Sequence, residues 1–189
     1  MTKARLFVIS APSGTGKSTI VCRLCEREPG LLHSVSCTTR SPRPGEIDGL
    51  QYEFISTEEF QRRINDGYFL EWAQVHHAFY GTPRTPIVEA LQQSQSVIMD
   101  IDVQGGMEVK KAFPDAVTIF LLPPDLKVLE NRLRSRRTDD ERQVALRMAE
   151  AANELKYADR YDYRVVNDEL EHAVSELHQI MMKEMTSNL

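Results

Sequence analysis

Leu6-Phe-Val-Ile-Ser-Ala11-Pro-Ser-Gly-Thr-Gly-Lys-Ser18 contains three different textures in succession. Leu6 to Ser10 is a short apolar run of strand character, and Ala11 to Gly16 is made of small residues and a proline. From Lys17 onward Ile20, Val21 and Leu24 recur at helical spacing. A strand, a glycine loop and a helix in this order give the context a Walker A loop requires. Small residues let backbone N–H groups curl round a phosphate, and the helix start adds positive potential. Lys17 reaches the outer phosphates and the Ser18 hydroxyl can sit on Mg²⁺. Ala11 stands where the strict pattern has Gly. Ala11, Pro12, Ser13, Gly14, Thr15, Gly16, Lys17, Ser18 and Thr19 are therefore the candidate triphosphate-binding set, with Lys17 also catalytic.

Working outward, apolar runs bounded by turn residues alternate with stretches of helical period, the pattern of a parallel sheet covered by helices on both faces. Strands are predicted at Leu6–Ser10, Leu32–Ser36, Ser96–Ile101, Ala116–Leu122 and Tyr163–Val166. Helices are predicted at Lys17–Glu28, Pro86–Gln93, Gly106–Phe113, Leu126–Arg136, Arg142–Ala158 and Leu170–Met185. The fold class is α/β, with a five-stranded parallel core sheet. Between Ser34 and Thr82 the texture shifts to a Pro/Gly-rich loop, strand-like runs at Tyr52–Ile55 and Phe69–Val75, and a short helix opened by the capping box Ser56-Thr-Glu-Glu59. This reads as a small β insertion. A charged segment from Arg132 to Glu141 reads as a lid or as a solvated helix end.

The chain has 189 residues, 41% of them hydrophobic and 27% charged, which fits one ordinary globular unit. A net charge of -5 argues against broad contact with nucleic acid, which rests on basic surfaces. No apolar stretch approaches the roughly 20 residues that span a bilayer, and the first apolar run lacks signal-peptide features. A cytoplasmic protein is expected. Cys22, Cys25 and Cys37 are an odd number and suggest no disulfide framework. Cys22 and Cys25 fall within a helical pattern and read as packing, with metal or redox chemistry the alternative.

Arg40 and Arg43 sit in a proline-stiffened loop without nearby apolar anchors. Their guanidinium forks are expected to be free to hold a dianionic phosphate, with Tyr52 and Tyr80 as hydroxyl donors; solvated surface charge is the alternative. Glu71 lies in an apolar run, where a carboxylate needs a partner. Guanine presents N1–H and an exocyclic amino group as adjacent donors, whereas adenine does not. Strand alternation would instead put Glu71 on a solvent face. Asp100 ends an apolar strand, where it could face metal-bound phosphates directly or through water, or cap the next turn. Asp102 shares its face if the strand continues that far.

The segments Ser34-Val-Ser-Cys-Thr-Thr-Arg40-Ser-Pro-Arg43-Pro-Gly-Glu, Asp48-Gly-Leu-Gln-Tyr52-Glu-Phe, Phe69-Leu-Glu71-Trp, Tyr80-Gly-Thr82 and Met99-Asp100-Ile-Asp102-Val-Gln-Gly, in this order, resemble the signature set of guanylate kinases. The match continues to Tyr161-Asp-Tyr-Arg-Val-Val-Asn-Asp168. The resemblance implies phosphoryl transfer from Mg·ATP to GMP, in a core (1–33, 83–125, 150–189) with a GMP-binding insertion (34–82) and a lid (126–149). It implies that Ser36, Thr82 and Asp102 join Glu71 on the base, that Arg40, Arg43, Tyr52, Tyr80 and Asp100 serve GMP, and that Ser18 and Asp100 serve the metal. It further implies that Arg132, Arg136 and Arg147 close over the transferring group and that Asn167 lies on the adenine side, where a helix N-cap is the alternative. ATP and GMP are the expected partners, with no nucleic acid and no membrane. Two other readings stand beside this one: a phosphopeptide-binding domain of scaffold type, disfavoured by the intact Gly16-Lys17-Ser18, and a sugar-phosphate kinase, disfavoured by the base-reading set.

Overall fold

The first strand, β1 (Leu6–Ser10), is buried at every residue, as a strand covered on both faces must be. The structure, a computed structural model, describes residues 3–75, 77–135 and 141–186. After β1 come α1 (Lys17–Arg27), β2 (Leu32–His33), β3 (Ser36–Thr38), β4 (Tyr52–Phe54), α2 (Thr57–Asn65), β5 (Phe69–Val75) and β6 (Ala78–Pro83). Then follow α3 (Arg84–Gln92), β7 (Val97–Asp100), α4 (Val103–Ala112), β8 (Val117–Leu122), α5 (Leu126–Ser135), α6 (Glu141–Leu155), β9 (Tyr163–Val166) and α7 (Leu170–Thr186). A five-stranded sheet has the order β2-β7-β1-β8-β9, all parallel, and a four-stranded mixed sheet has the order β4-β3-β6-β5.

Strand alternation divides β1 between two cores. Phe7 and Ile9 pack with Ile20, Val21 and Leu24 of α1 and with Val174, Leu177 and Met181 of α7. Leu6 and Val8 pack with Ile87 of α3 and Val109 of α4. Met181 is fully buried and Met185 partly so, which agrees with a terminal helix whose stripe faces the core. The four-stranded sheet has its own cluster of Cys37, Phe60 and Phe69, with Phe60 stacked on Phe69 at 4.5 Å between centroids. Ser56 caps α2 by accepting from the Glu59 N–H at 3.1 Å.

Several boundaries differ from the sequence reading for local reasons. The predicted strand Leu32–Ser36 is two strands, β2 in the parallel sheet and β3 in the mixed one. The Ser34 N–H still bonds the Ile98 carbonyl, and the chain then leaves for the second sheet. β3 and β6 carry little apolar pattern of their own. In β6, Gly81 lies under the rings of Phe69 and Phe60, where a Cβ would come within 2.9 Å of Phe69 Cδ1. α4 starts at Val103, not Gly106, because Asp102 accepts from the Gly105 N–H at 3.0 Å and caps the helix. α3 starts two residues before Pro86, a first-turn position where a missing N–H costs nothing. α6 ends at Leu155, and Ala158 belongs to a separate 3₁₀ turn. Cys22 is exposed, so only Cys25 of that pair packs on the core. Among the described residues, no helix is long and apolar enough to cross a membrane.

Candidate active site

The loop after β1 bends through two glycines with left-handed backbone, Gly14 at φ 92° and Gly16 at φ 96°, a region that only glycine enters without strain. Space matters as well: a Cβ on Gly16 would lie 2.7 Å from Asn167 Nδ2, and one on Gly14 would lie 3.0 Å from Leu133 Cδ2 of α5. The loop ends on the N-terminus of α1, beside the C-terminal ends of the parallel strands, where open α/β sheets place ligands. Arg132 donates to the carbonyls of Thr15 at 3.3 Å and Asn167 at 3.1 Å. The buried Asn167 amide donates to the same Thr15 carbonyl at 2.6 Å, so it braces the loop from beneath. Arg147 reaches Ser13 Oγ at 3.4 Å. Arg136 lies outside the described residues.

β7 aligns Asp100 with Ile9, which brings its carboxylate to the edge of the loop. Asp100 Oδ2 accepts from Ser18 Oγ at 3.4 Å, and Oδ1 stands 3.2 Å from His33 Nε2. Burial pushes the Asp100 carboxyl up, but Lys17 and His33 beside it outweigh burial and hold it below the usual range. The Lys17 ammonium donates to the Ile101 carbonyl at 3.0 Å. Asp102 does not continue the strand: β7 ends at Asp100, and Asp102 is the residue that caps the next turn.

The second half of the site is built on the mixed sheet. Arg40 is not a free fork, because its two terminal nitrogens meet Glu46 at 2.8 and 2.9 Å, and its guanidinium lies 5.3 Å from the Tyr52 ring centroid. Glu46 also accepts from the Arg43 N–H at 2.6 Å, across a turn closed by Gly45 at φ 86°. Arg40 Nε is buried without a hydrogen-bond partner. The Tyr52 and Tyr80 rings meet edge to face at 5.9 Å. Burial raises the Tyr52 hydroxyl to about 12, which keeps it a donor.

Glu71 is 6% exposed, not on a solvent face. A register shift between Phe69 and Glu71 against β6 breaks the alternation and turns the carboxylate inward, while Trp72 is left exposed. Thr82 donates to Glu71 Oε1 at 2.6 Å, and the Ser36 and Thr82 hydroxyls stand 2.9 Å apart. Burial raises the Glu71 carboxyl to about 7 against the pull of the Thr82 hydroxyl, with Asp102 adding to the rise. Glu154 on α6 is likewise raised to about 7, by burial and then by Asp102 and Glu150.

Comparison with known proteins fits this geometry. The guanylate kinase family model matches residues 3–184. The chain belongs to the guanylate kinase family. It is 46% identical to the guanylate kinase of Carboxydothermus hydrogenoformans over 97% of this chain and 90% of that protein. It is 48% identical to that of Gloeobacter violaceus over 96% of this chain and 89% of that protein. The crystal structure of guanylate kinase from Anaplasma phagocytophilum superposes with a TM-score of 0.85 at 30% identity, covering 99% of this chain and 89% of the other. Guanylate kinases are nucleoside monophosphate kinases that move the γ-phosphoryl group of ATP to GMP.

On this guanylate kinase fold, Ser36, Glu71 and Thr82 form one connected group, Arg40, Tyr52 and Tyr80 a second, and Lys17, Ser18 and Asp100 a third. Glu46, His33 and Gly105 join them without having been singled out from the sequence. A carboxylate three residues after Arg43 in a Pro-Gly turn was a usable signal for Glu46. The contacts of His33 and Gly105 arise only from long-range packing.

Proposed function

We propose that this chain phosphorylates GMP with ATP by holding the two nucleotides on either side of the segment Asp100-Ile-Asp102. The observation that carries the reading is the Lys17–Ile101 bond of 3.0 Å, which ties the triphosphate loop to a peptide flanked by one carboxylate for each side. ATP phosphates lie on the N–H groups of Ala11 to Thr19, and Lys17 neutralises the outer ones. The GMP phosphate is held by Arg40, Arg43, Tyr52 and Tyr80. Its base is read by Glu71 with Ser36, Thr82 and Asp102. An ionised Glu71 accepts both guanine donors, and adenine would leave that buried carboxylate with the Thr82 hydroxyl as its donor and none from the base.

Transfer between two polyanions depends on alignment and charge neutralisation more than on a base, since the acceptor phosphate is already ionised near neutral pH. Arg132 and Arg147, with Arg136 beyond the described residues, supply positive charge to the transferring group. Asn167 serves the ATP side by fixing the Thr15 carbonyl. Among the described residues, no three His, Cys, Asp or Glu side chains cluster as a metal site. The pair Ser18 and Asp100 offers two hard oxygen donors at the loop edge, which fits Mg²⁺ completed by nucleotide phosphates and water. Held by Ser18 and Asp100, such an ion would supply positive charge to the nucleotide phosphates. Residues 34–82 act as the GMP-binding part, 126–149 as the closing part, and the remainder as the core.

The test is ADP formation from Mg·ATP with GMP, AMP, UMP or no acceptor. GMP-dependent turnover that drops roughly a thousandfold in Lys17→Ala is expected. Equal stimulation by AMP and GMP, or GMP binding without turnover in folded protein, would sink the reading.

A further inference from the structure

Two glycines stand side by side inside the first turns of α4, Gly105 and Gly106, and both are buried. Neither has a positive φ, so the backbone does not require glycine at either position. Glycine weakens a helix interior relative to alanine, and the reason for it here lies in what each residue faces. A Cβ on Gly106 would meet Tyr161 Oη at 2.5 Å and Ser10 Oγ at 2.7 Å, beside the start of the phosphate loop. A Cβ on Gly105 would lie 2.6 Å from Glu71 Oε2 and 3.2 Å from Glu71 Cδ.

The Glu71 contact differs from an ordinary close approach to a flexible chain end. Glu71 is buried, and its other oxygen is held at 2.6 Å by the Thr82 hydroxyl, so a methyl on Gly105 would displace the carboxylate from its bond. Gly105 also gives its N–H to Asp102 Oδ1 at 3.0 Å. One residue thus seats two carboxylates, Glu71 by having no side chain and Asp102 through its amide.

We propose that Gly105 is a positioning residue for guanine recognition, which sets where Glu71 presents its oxygens to the base. The inference rests on the reading that Glu71 accepts the guanine donors. A paired acceptor tolerates little displacement, and shifts on the scale of an ångström cost roughly ten- to a hundredfold in reacting complexes.

The test is Gly105→Ala, assayed beside Glu71→Gln, Glu71→Asp and the double variant Gly105→Ala/Glu71→Asp. In Gly105→Ala the KM for GMP should rise at least about tenfold, the KM for ATP should stay within about twofold, and Tm should fall by no more than about 5 °C, because the helix gain of alanine offsets part of the cost of the displaced Glu71 bond. Shortening the acid by one methylene withdraws it from the new methyl. The double variant should therefore bind GMP better than the product of the two single losses predicts. An unchanged KM for GMP in Gly105→Ala, with Glu71→Gln strongly impaired, overturns the inference and leaves the guanine reading intact. A much larger loss of Tm with both KM values rising together also overturns it, since general disruption of α4 would do the same. If Glu71→Gln itself leaves GMP preference untouched, the underlying reading fails.

Discussion

The Thr82 hydroxyl and Glu71 Oε1 meet at 2.6 Å with both residues buried, yet the Glu71 carboxyl still stands at about 7. Burial outweighs the hydrogen bond, and two pH effects of opposite sign follow. In the unfolded chain this carboxyl ionises near its ordinary 4.5. As pH rises from there to about 7, the folded chain keeps a proton that the unfolded chain has lost. Stability that is full below about 4.5 is therefore drained across that window. Glu154, also at about 7, adds to the same slope. Glu71→Gln should lose less Tm between those limits than the parent chain. On the proposed guanine-reading role of Glu71, GMP binding runs the other way, since the base pairs with the ionised acid: KM for GMP should fall by up to about tenfold per pH unit as pH rises toward 7. A flat KM profile from pH 6 to 8 would contradict the role given to Glu71.

Glu46 holds Arg40 by two bonds and the Arg43 N–H by a third. Glu46→Ala should release that arrangement and raise the KM for GMP by roughly tenfold, the cost of about one charge-assisted bond's worth of preorganisation. KM for ATP should hold steady. Steady-state kinetics with each substrate varied in turn separate the two, and an equal rise in both would count against the assignment.

Asn167 donates to the Thr15 carbonyl from a buried position, and Arg132 approaches the same oxygen at 3.3 Å. Asn167→Ala should destabilise the chain by about 1–3 kcal/mol, the range for a buried partner lost. It should also raise KM for ATP, because the loop carbonyl loses its brace. Chemical denaturation and ATP titration check the two parts.

Asp100 is kept ionised by Lys17 and His33 and faces Ser18. Asp100→Asn retains the shape and removes the charge. The Mg²⁺ concentration for half-maximal turnover should increase by roughly an order of magnitude or more, with chelation abolishing turnover in both proteins. Mg²⁺ titration at fixed ATP decides it, and an unchanged midpoint would remove Asp100 from the metal.

The parts legible in the sequence were those whose signal is local. The glycine loop reads directly because Gly14, Gly16 and Lys17 lie within one turn between a strand and a helix. Glu71 reads because a lone acid interrupts an apolar run, although a register shift and not simple alternation turns it inward. What stayed hidden depends on partners far along the chain. The run from Leu32 to Ser36 looks like one strand, and only the positions of β7 and β6 divide it between two sheets. Arg40 looks unpaired until the turn at Gly45 folds Glu46 onto it. The pair Gly105 and Gly106 looks like a weak helix start until Glu71 and Tyr161 arrive from other elements.

The central place of β1 has a consequence for biosynthesis. Its residues pair with β7 at Leu6–Val97 and with β8 at Phe7–Val117, and the whole four-stranded sheet lies between them in the chain. Contacts so distant in sequence must wait for a long loop to close, which makes parallel pairing slow and leaves apolar strand surface exposed meanwhile. β1 is thus made before both of the strands that become its neighbours. A nascent chain halted before Val97 carries the glycine loop in full and has neither of the strands that flank β1.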